Sequence, residues 1–158
     1  MRDRVMYRKF FGIYARDTLP TINPLTEGGY ILNTDLSTNI GEHWVLAYCV
    51  PSTKNMLYID PLGQQPPQTF KQWLKSTKYT IIQLKKPIQP LHSHLCGLYV
   101  LFYLYHLARK TPLRKITAQF SNDKIVVQFA CKRFGFNACQ KLYKDRLTDD
   151  FKLVCNGL

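Results

Sequence analysis

The sequence predicts an α+β domain in which a small mixed β-sheet packs against one buried central helix. Three observations lead to this fold class. Two strand-like stretches follow one another at 43–50 and 55–63, a helical pattern separates them from a third at 78–86, and a long apolar segment begins at Cys96. Strands and helices in such an irregular order are typical of α+β proteins. The length of 158 residues predicts one domain, 1–158.

The first two strands are predicted from their composition. Most of 19–39 is rich in Pro, Thr, Asn and Gly and predicts a loop, with one short extended piece at 30–32. "HWVLAYCV" at 43–50 and "NMLYIDPLG" at 55–63 are rich in strand-forming residues. The turn residues between them predict a hairpin.

The helices follow from apolar spacing. Phe70, Trp73 and Leu74 predict a short helix over 68–76. The segment 96–110 is apolar around most of a helical circumference, which indicates a buried helix. A further helix over 123–134 is expected, with an N-cap among 121–123 and an end at Gly135.

The charge balance is strongly basic, with 22 Lys and Arg against 10 Asp and Glu and a net charge of +12. Such a field attracts polyanions, so binding to nucleic acid without sequence preference is one expectation. A basic surface that only keeps the protein soluble is the alternative. The longest apolar run, 95–108, is shorter than the ~20 residues that a membrane helix needs. Neither a membrane span nor a secretion signal is expected.

The five cysteines are an odd number and contain no C-x-x-C pair. We therefore expect reduced thiols in a reducing compartment and no structural zinc site. Cys96 stands out because it opens the buried helix, where the helix dipole stabilises a thiolate. Gly97 would leave space for a substrate backbone. A cysteine there that serves only packing is the alternative.

His43 is the best candidate base, since it opens a strand and directly precedes Trp44. The predicted hairpin would place Asp60, at the end of the next strand, beside it. His92 and His94 form H-x-H-x-C with the cysteine, which predicts either a metal site or a solvated loop, the latter favoured. His106 lies within the helix and is expected to be a packed side chain.

An acyl-transfer site also needs donors for an oxyanion. The Cys96 backbone N–H is one candidate. The side-chain amide of Gln89, in the loop before the cysteine, is the second.

With these motifs the sequence resembles the adenovirus-type cysteine endopeptidases (adenain), which share a clan with the SUMO-specific proteases. The family's His-Trp is matched at His43-Trp44, its acid-Pro turn at 60–63, its glutamine at Gln89 and its Cys-Gly-Leu helix start at 96–98. An N-terminal aromatic-Gly-aromatic pattern is echoed at 10–14. The resemblance implies an adenain/SUMO-protease-like fold, a catalytic set of His43, Asp60 and Cys96, an oxyanion hole at Gln89 and Cys96, and Trp44 and Gly97 close to substrate.

Two departures from adenain matter. Asp60 stands where adenain has Glu, and aspartate is the choice of the SUMO-protease branch. Lys78 stands where adenain carries the cysteine that joins its activating peptide, so a disulfide-linked activator is not expected. The chain is also shorter, which predicts a compact relative from a virus, a virophage or a Maverick-type element.

The expected function is a cysteine endopeptidase that cleaves viral capsid or core precursors after small, Gly-rich sites during virion maturation. It would need no metal or chemical cofactor, with DNA as a candidate activator, and would act as a monomer in the virion and the host cell interior. Two alternatives remain. One is a deubiquitinase or deSUMOylase of the same clan, and the other is a catalytically silent DNA- or capsid-binding relative.

Overall fold

A five-stranded mixed sheet, in the order β1-β2-β3-β4-β5, forms the centre of the computed structural model, which describes residues 3–118 and 123–134. The two outer pairs, β1 with β2 and β4 with β5, are parallel, and the inner pairs are antiparallel. The strands are β1 (Phe10–Tyr14), β2 (Gly28–Asn33), β3 (Trp44–Val50), β4 (Asn55–Ile59) and β5 (Thr80–Gln83). The helices are α1 (Arg4–Lys9), α2 (Gln68–Lys75), α3 (Cys96–Ala108), α4 (Leu113–Ala118) and α5 (Asp123–Phe134).

The sheet is covered on both faces, and β3 shows how. Successive side chains of a strand point to opposite faces. Leu46 and Tyr48 pack with α3, whereas Ala47 and Cys49 pack with Phe70 of α2. A strand buried on both faces needs apolar residues at every position, which explains the continuous run in this stretch.

Helix α3 is the central element of the larger core. All of its residues except His106 are buried. It packs against β3 on one side and contacts α1 and α5. Its position behind the middle of the sheet holds its first residue, Cys96, at a defined place beside the strand ends.

The predicted fold class is confirmed, with shifted boundaries and additional elements. The second strand ends at Ile59 because the residues after it form a turn, and the third covers only 80–83. Helices α1 and α4 and strand β1, of five or six residues each, were not predicted. They are too short for a periodic signal and depend on neighbours distant in sequence. The expected caps at 121–122 and Gly135 lie outside the described residues.

Within the described part of the chain, no helix is long and apolar enough to cross a membrane.

Candidate active site

The β3–β4 hairpin brings His43 and Asp60 together. Its antiparallel register pairs Leu46 with Ile59, so the residue before β3 and the residue after β4 meet at one end of the sheet. Nε2 of His43 donates a hydrogen bond to Oδ1 of Asp60 at 2.8 Å. The side chains are 14% and 2% exposed, so the pair is largely screened from water.

A tight turn holds the Asp60 carboxylate in place. Oδ1 also accepts a hydrogen bond from the backbone N–H of Leu62 at 2.7 Å, and the Asp60 carbonyl accepts one from the N–H of Gly63 at 2.9 Å. Gly63 has φ of +70°, and a Cβ there would meet the Lys85 carbonyl oxygen at 2.8 Å. Glycine is therefore required by both conformation and space. The turn aims Oδ1 at the imidazole before any substrate arrives.

A second glycine shapes the loop that leads into His43. The His43 carbonyl accepts a hydrogen bond from the Thr34 N–H at 2.9 Å, which ties the loop end to the end of β2. Gly41 has φ of +96° and lies directly against the side chain of Asn33. Asn33 is itself buried and accepts from the Asp35 N–H at 2.8 Å. The histidine backbone is thus fixed on both sides.

Cys96 lies at the start of α3 with 7% of its surface exposed. Its side chain lies close enough to the imidazole to contribute to the raised pKa of His43. Because Nε2 is already engaged by Asp60, Nδ1 is the ring nitrogen available to the sulfur. The first N–H groups of a helix have no acceptor within the helix. The backbone N–H of Cys96 is therefore not used in the hydrogen bonds of α3.

The pKa of His43 is shifted by opposing effects. Burial is the largest influence and lowers it, but the hydrogen bonds to Asp60 and Cys96 and the charges of these groups raise it. The net result raises the pKa of His43 from 6.5 to about 9. The imidazole is then protonated at neutral pH, and an imidazolium is the partner that stabilises a thiolate.

Gln89 reaches the same region through the turn after β4. The Pro61 carbonyl accepts hydrogen bonds from the backbone N–H groups of Ile88 and Gln89, at 2.9 and 3.0 Å. The Gln89 side chain is buried, and its Nε2 donates to the Ser93 carbonyl at 2.5 Å. The loop before the cysteine is therefore tied to the turn that carries Asp60.

Trp44 and Gly97, the other two predicted site residues, are both buried. Trp44 begins β3 and belongs to the same core cluster as Cys96. Gly97 is the second residue of α3. Their expected proximity to substrate stays a prediction.

The remaining histidines and cysteines separate clearly from this group. His92 and His94 are exposed, and the described residues contain no cluster of three or more His, Cys, Asp or Glu that is arranged to hold a metal. His106, which is half-buried, packs against the rings of Phe102 and Phe129, as the prediction of a packed side chain expects. Cys49 and Cys96 are free thiols, and Cys49 packs in the core cluster that contains Phe70, apart from the site.

Two residues of the site region, Ser93 and Asp123, were missed by the sequence analysis. Oγ of Ser93 donates to Oδ1 of Asp123 at 2.9 Å, across 30 positions of sequence. No local pattern marks such a pair. The turn-forming character of Ser93 between Pro90 and the cysteine was the only available signal.

Asp60, His43 and Cys96 together have the chemical groups that an activated thiol nucleophile needs. A carboxylate orients an imidazole, the imidazole meets a thiol, and the thiol lies at a helix start with backbone donors. The described site is assembled from two strand ends and one helix start, all on rigid elements.

The chain is similar to known cysteine proteases. No family model matches the sequence. The SUMO-1 cysteine protease of African swine fever virus is 28% identical over 92 residues, covering 51% of this chain and 34% of that protein. A second version from the same virus, described as a cysteine protease, matches to the same extent. The chain thus matches about a third of the length of these curated relatives.

The fold comparison points to the same viral protein. The crystal structure of the pS273R protease of African swine fever virus aligns with a TM-score of 0.57 and 18% identity, covering 79% of this chain and 60% of that one. A structure of the SUMO protease Ulp1 aligns with a TM-score of 0.46 and 16% identity, over 83% and 53% of the two chains. The chain has the fold of a cysteine protease, and its sequence is related to that of the African swine fever virus enzyme.

Proposed function

We propose that this protein is a cysteine endopeptidase with Cys96 as nucleophile, His43 as general base and acid, and Asp60 as the group that orients the imidazole. Gln89 and the Cys96 N–H form the oxyanion hole, and Trp44 and Gly97 border the substrate. The observation that carries the proposal is the continuous chain of contacts from Asp60 through His43 to Cys96. A purely structural cysteine would not need this buried charged partner.

The reaction follows from these positions. The Cys96 thiolate attacks the carbonyl carbon of the scissile peptide bond, and its oxygen becomes an oxyanion that accepts from the Cys96 N–H and the Gln89 amide. His43 then donates its proton to the departing amine, which leaves a thioester on Cys96. Water, deprotonated by His43, hydrolyses the thioester, which releases the acid product and restores the Cys96 thiolate beside the protonated His43. The Asp60 carboxylate stays ionised and stabilises the imidazolium. No metal or cofactor enters these steps.

The proposed substrates are viral capsid or core precursors, cut after small, Gly-rich sequences during maturation. The relation to a protease of African swine fever virus supports a viral context. The enzyme would act in the virion and the host cell interior, and a virophage or Maverick-type element is the proposed source. We propose a monomer without a disulfide-linked activator, since an exposed lysine occupies position 78.

A second candidate is an isopeptidase that removes ubiquitin or SUMO. It is favoured by one observation, that the related viral protein is described as a SUMO-1 cysteine protease. The catalytic steps are the same for both candidate functions. The two candidates differ in the groups that lie on either side of the cleaved bond.

The proposal also includes non-specific DNA binding through the positive surface. Between Glu42 and Asp123 the sequence contains one acidic residue, Asp60, and this is buried against His43. Lys54, Lys75 and Lys78, which we call the lysine edge, are all exposed. The Lys54 carbonyl accepts from the Thr80 N–H, and the Lys78 N–H donates to the Lys75 carbonyl, so the three lie around the starts of β4 and β5.

The lysine edge lies at the end of the sheet opposite Asp60. Lys54 precedes β4 and Asp60 follows it, and this five-residue strand spans about 17 Å. DNA bound at the lysine edge would leave the active site open. We therefore favour DNA as a scaffold that concentrates enzyme near its substrates, with direct activation as the alternative.

The decisive experiment is cleavage of a peptide library derived from viral precursors, with the wild type, Cys96→Ala and His43→Ala. Both variants should be inactive and folded, while Cys49→Ala, which removes the other free thiol of the described residues, should keep activity. Probes carrying ubiquitin- or SUMO-vinyl sulfone test the second candidate. Rapid labelling by these probes without peptide cleavage would favour the isopeptidase, and a Cys96 that ignores thiol probes would favour a silent binder.

A further inference from the structure

Ser93 is the most connected residue of the loop that precedes Cys96. Its carbonyl accepts from Nε2 of Gln89 at 2.5 Å, and its hydroxyl donates to Oδ1 of Asp123 at 2.9 Å. The same hydroxyl accepts from the backbone N–H of Leu95 at 3.2 Å, immediately before the helix start. One side chain thus connects the Gln89 amide, the nucleophile's helix and the start of α5.

Asp123 provides the fixed end of this network. It is the first residue of α5, and its Oδ1 also accepts from the hydroxyl of Tyr99 at 3.0 Å. Tyr99 is fully buried in α3, three residues after Cys96. Its pKa is raised by burial and by the hydrogen bond and charge of Asp123, so its hydroxyl remains a donor. Two rigid helices therefore hold the carboxylate that receives Ser93.

The hydrogen bond from the Gln89 side chain to the Ser93 carbonyl fixes the orientation of the Gln89 side-chain amide. A carbonyl oxygen only accepts, so it must face the NH₂ end of the Gln89 amide. A flipped amide would set Oε1 against the carbonyl, with two acceptors in contact. Nε2 carries two hydrogens, and Ser93 uses one of them. Oε1 is buried without a hydrogen-bond partner in the described structure, which shows that this orientation is kept at a cost.

We propose that Ser93 and Asp123 are positioning residues for oxyanion stabilisation. Asp123 anchors the Ser93 hydroxyl, the anchored residue keeps its carbonyl against Nε2 of Gln89, and the second N–H of Gln89 is then held ready for the substrate oxygen. The inference rests on the proposed function of Gln89. The donor is then held by a network that reaches into α5, outside the six site residues predicted from the sequence.

The kinetic test uses Ser93→Ala and Asp123→Ala, with Ser76→Ala as the matched control. The Ser76 hydroxyl donates to the Trp73 carbonyl at 2.7 Å at an exposed helix end, so the control loses a comparable hydrogen bond away from the site. Both site variants should lower kcat ~10-fold or more with KM little changed, because an oxyanion contact is made mainly in the transition state. Asp123→Asn keeps an oxygen acceptor and should restore most of the rate.

A double-mutant cycle separates positioning from general damage. In a Gln89→Ala background, Ser93→Ala should cause almost no further loss of kcat, because the group it positions is gone. Alkylation of Cys96 by iodoacetamide forms no oxyanion and should proceed at the wild-type rate in Ser93→Ala. Independent, multiplicative losses in the cycle, or a matching loss of alkylation, would overturn the inference.

A third measurement needs no turnover. In ¹⁵N-labelled protein, the side-chain amide protons of Gln89, assigned through Gln89→Ala, should include one that is protected from exchange. Ser93→Ala and Asp123→Ala should remove this protection, and unchanged protection would contradict the network. A wild type that cleaves no peptide while the protection behaves as expected would overturn the proposed protease function and the catalytic part of this inference, but not the network itself.

Discussion

His43 and Asp60 are 17 residues apart in the sequence, and Nε2 of the imidazole lies 2.8 Å from Oδ1 of the carboxylate. The same Oδ1 is held by the Leu62 N–H at 2.7 Å. The backbone of one turn therefore orients the acid, the acid orients the imidazole, and the imidazole presents its other nitrogen to Cys96. Because each group orients the next, substitutions can test the site one residue at a time.

Cys96 should react with iodoacetamide much faster than Cys49. Both are free thiols and both are buried, which makes Cys49 a matched internal control. The pKa of Cys49 is raised by burial and by the charge of Glu27, whereas Cys96 lies beside the imidazole of His43 at a helix start. Mass mapping after brief alkylation measures the two rates. His43→Ala should slow the labelling of Cys96 alone, and equal labelling of both thiols would refute its assignment as nucleophile.

The rate of peptide cleavage should fall as the pH rises through about 9, where His43 loses the proton that the leaving amine needs. Asp60→Asn should move this alkaline limb to lower pH, because the Asp60 charge and hydrogen bond raise the pKa of His43. The asparagine keeps an oxygen for the Leu62 N–H, so the turn should survive. A profile of kcat/KM against pH checks this, with Asp35→Asn in an exposed loop as control. An alkaline limb that does not move would exclude Asp60 as the group that raises the pKa.

Gln89→Ala should lower kcat by ~10²–10³-fold with little change in KM, the usual effect of removing one oxyanion donor. Gln83→Ala is the matched control, since the Gln83 Nε2 also donates to a backbone carbonyl, that of Gln64, at 3.0 Å but in an exposed position. Steady-state kinetics on a cleavable peptide gives both constants. Full activity of Gln89→Ala would mean that another donor fills the oxyanion hole.

Gly41→Ala should destabilise the protein by about 1–3 kcal/mol, because a side chain is strained at φ of +96° and would collide with Asn33. Activity should fall as well, since His43 follows two residues later. Thr38→Ala, in the same loop with an exposed side chain, is the control. Urea denaturation beside peptide cleavage tests both effects, and an unchanged unfolding midpoint would show that the loop adapts freely.

DNA binding should weaken steeply with salt, with a slope of about −0.9 per phosphate contacted. Replacing Lys54, Lys75 and Lys78 by Gln should make the slope shallower, while peptide cleavage stays unchanged. The control replaces Lys110, Arg114 and Lys115, which removes the same charge from another part of the surface. Fluorescence anisotropy across a salt series measures binding. Equal effects of both triple variants would assign binding to overall charge, and loss of cleavage only in the first would favour DNA as an activator.

The core of the site could be predicted from the sequence because its signals are local. A hairpin register follows from two adjacent strands and a short turn, so Asp60 could be placed beside His43. The start of α3 follows from the length of the apolar segment after Cys96. In both cases the structure-forming residues are close to the functional residues along the chain.

Other features depend on contacts between distant parts of the chain. Strand β1 is held by its parallel pairing with β2, and no short-range pattern marks a five-residue parallel strand. The bond between Ser93 and Asp123 is likewise a pairing that spacing does not encode.

The sequence by itself thus determined the α+β class, the hairpin and the buried helix, and it singled out His43, Asp60, Cys96 and Gln89 as candidate site residues, because periodicity, turn chemistry and motif spacing are local properties. Only the tertiary structure decided the five-strand order, the turn that holds Asp60, the raised pKa of His43 and the anchoring of Gln89 through Ser93 to Asp123. Those features depend on burial and on distances of a few ångströms between groups far apart in sequence, which exist only once the chain has packed.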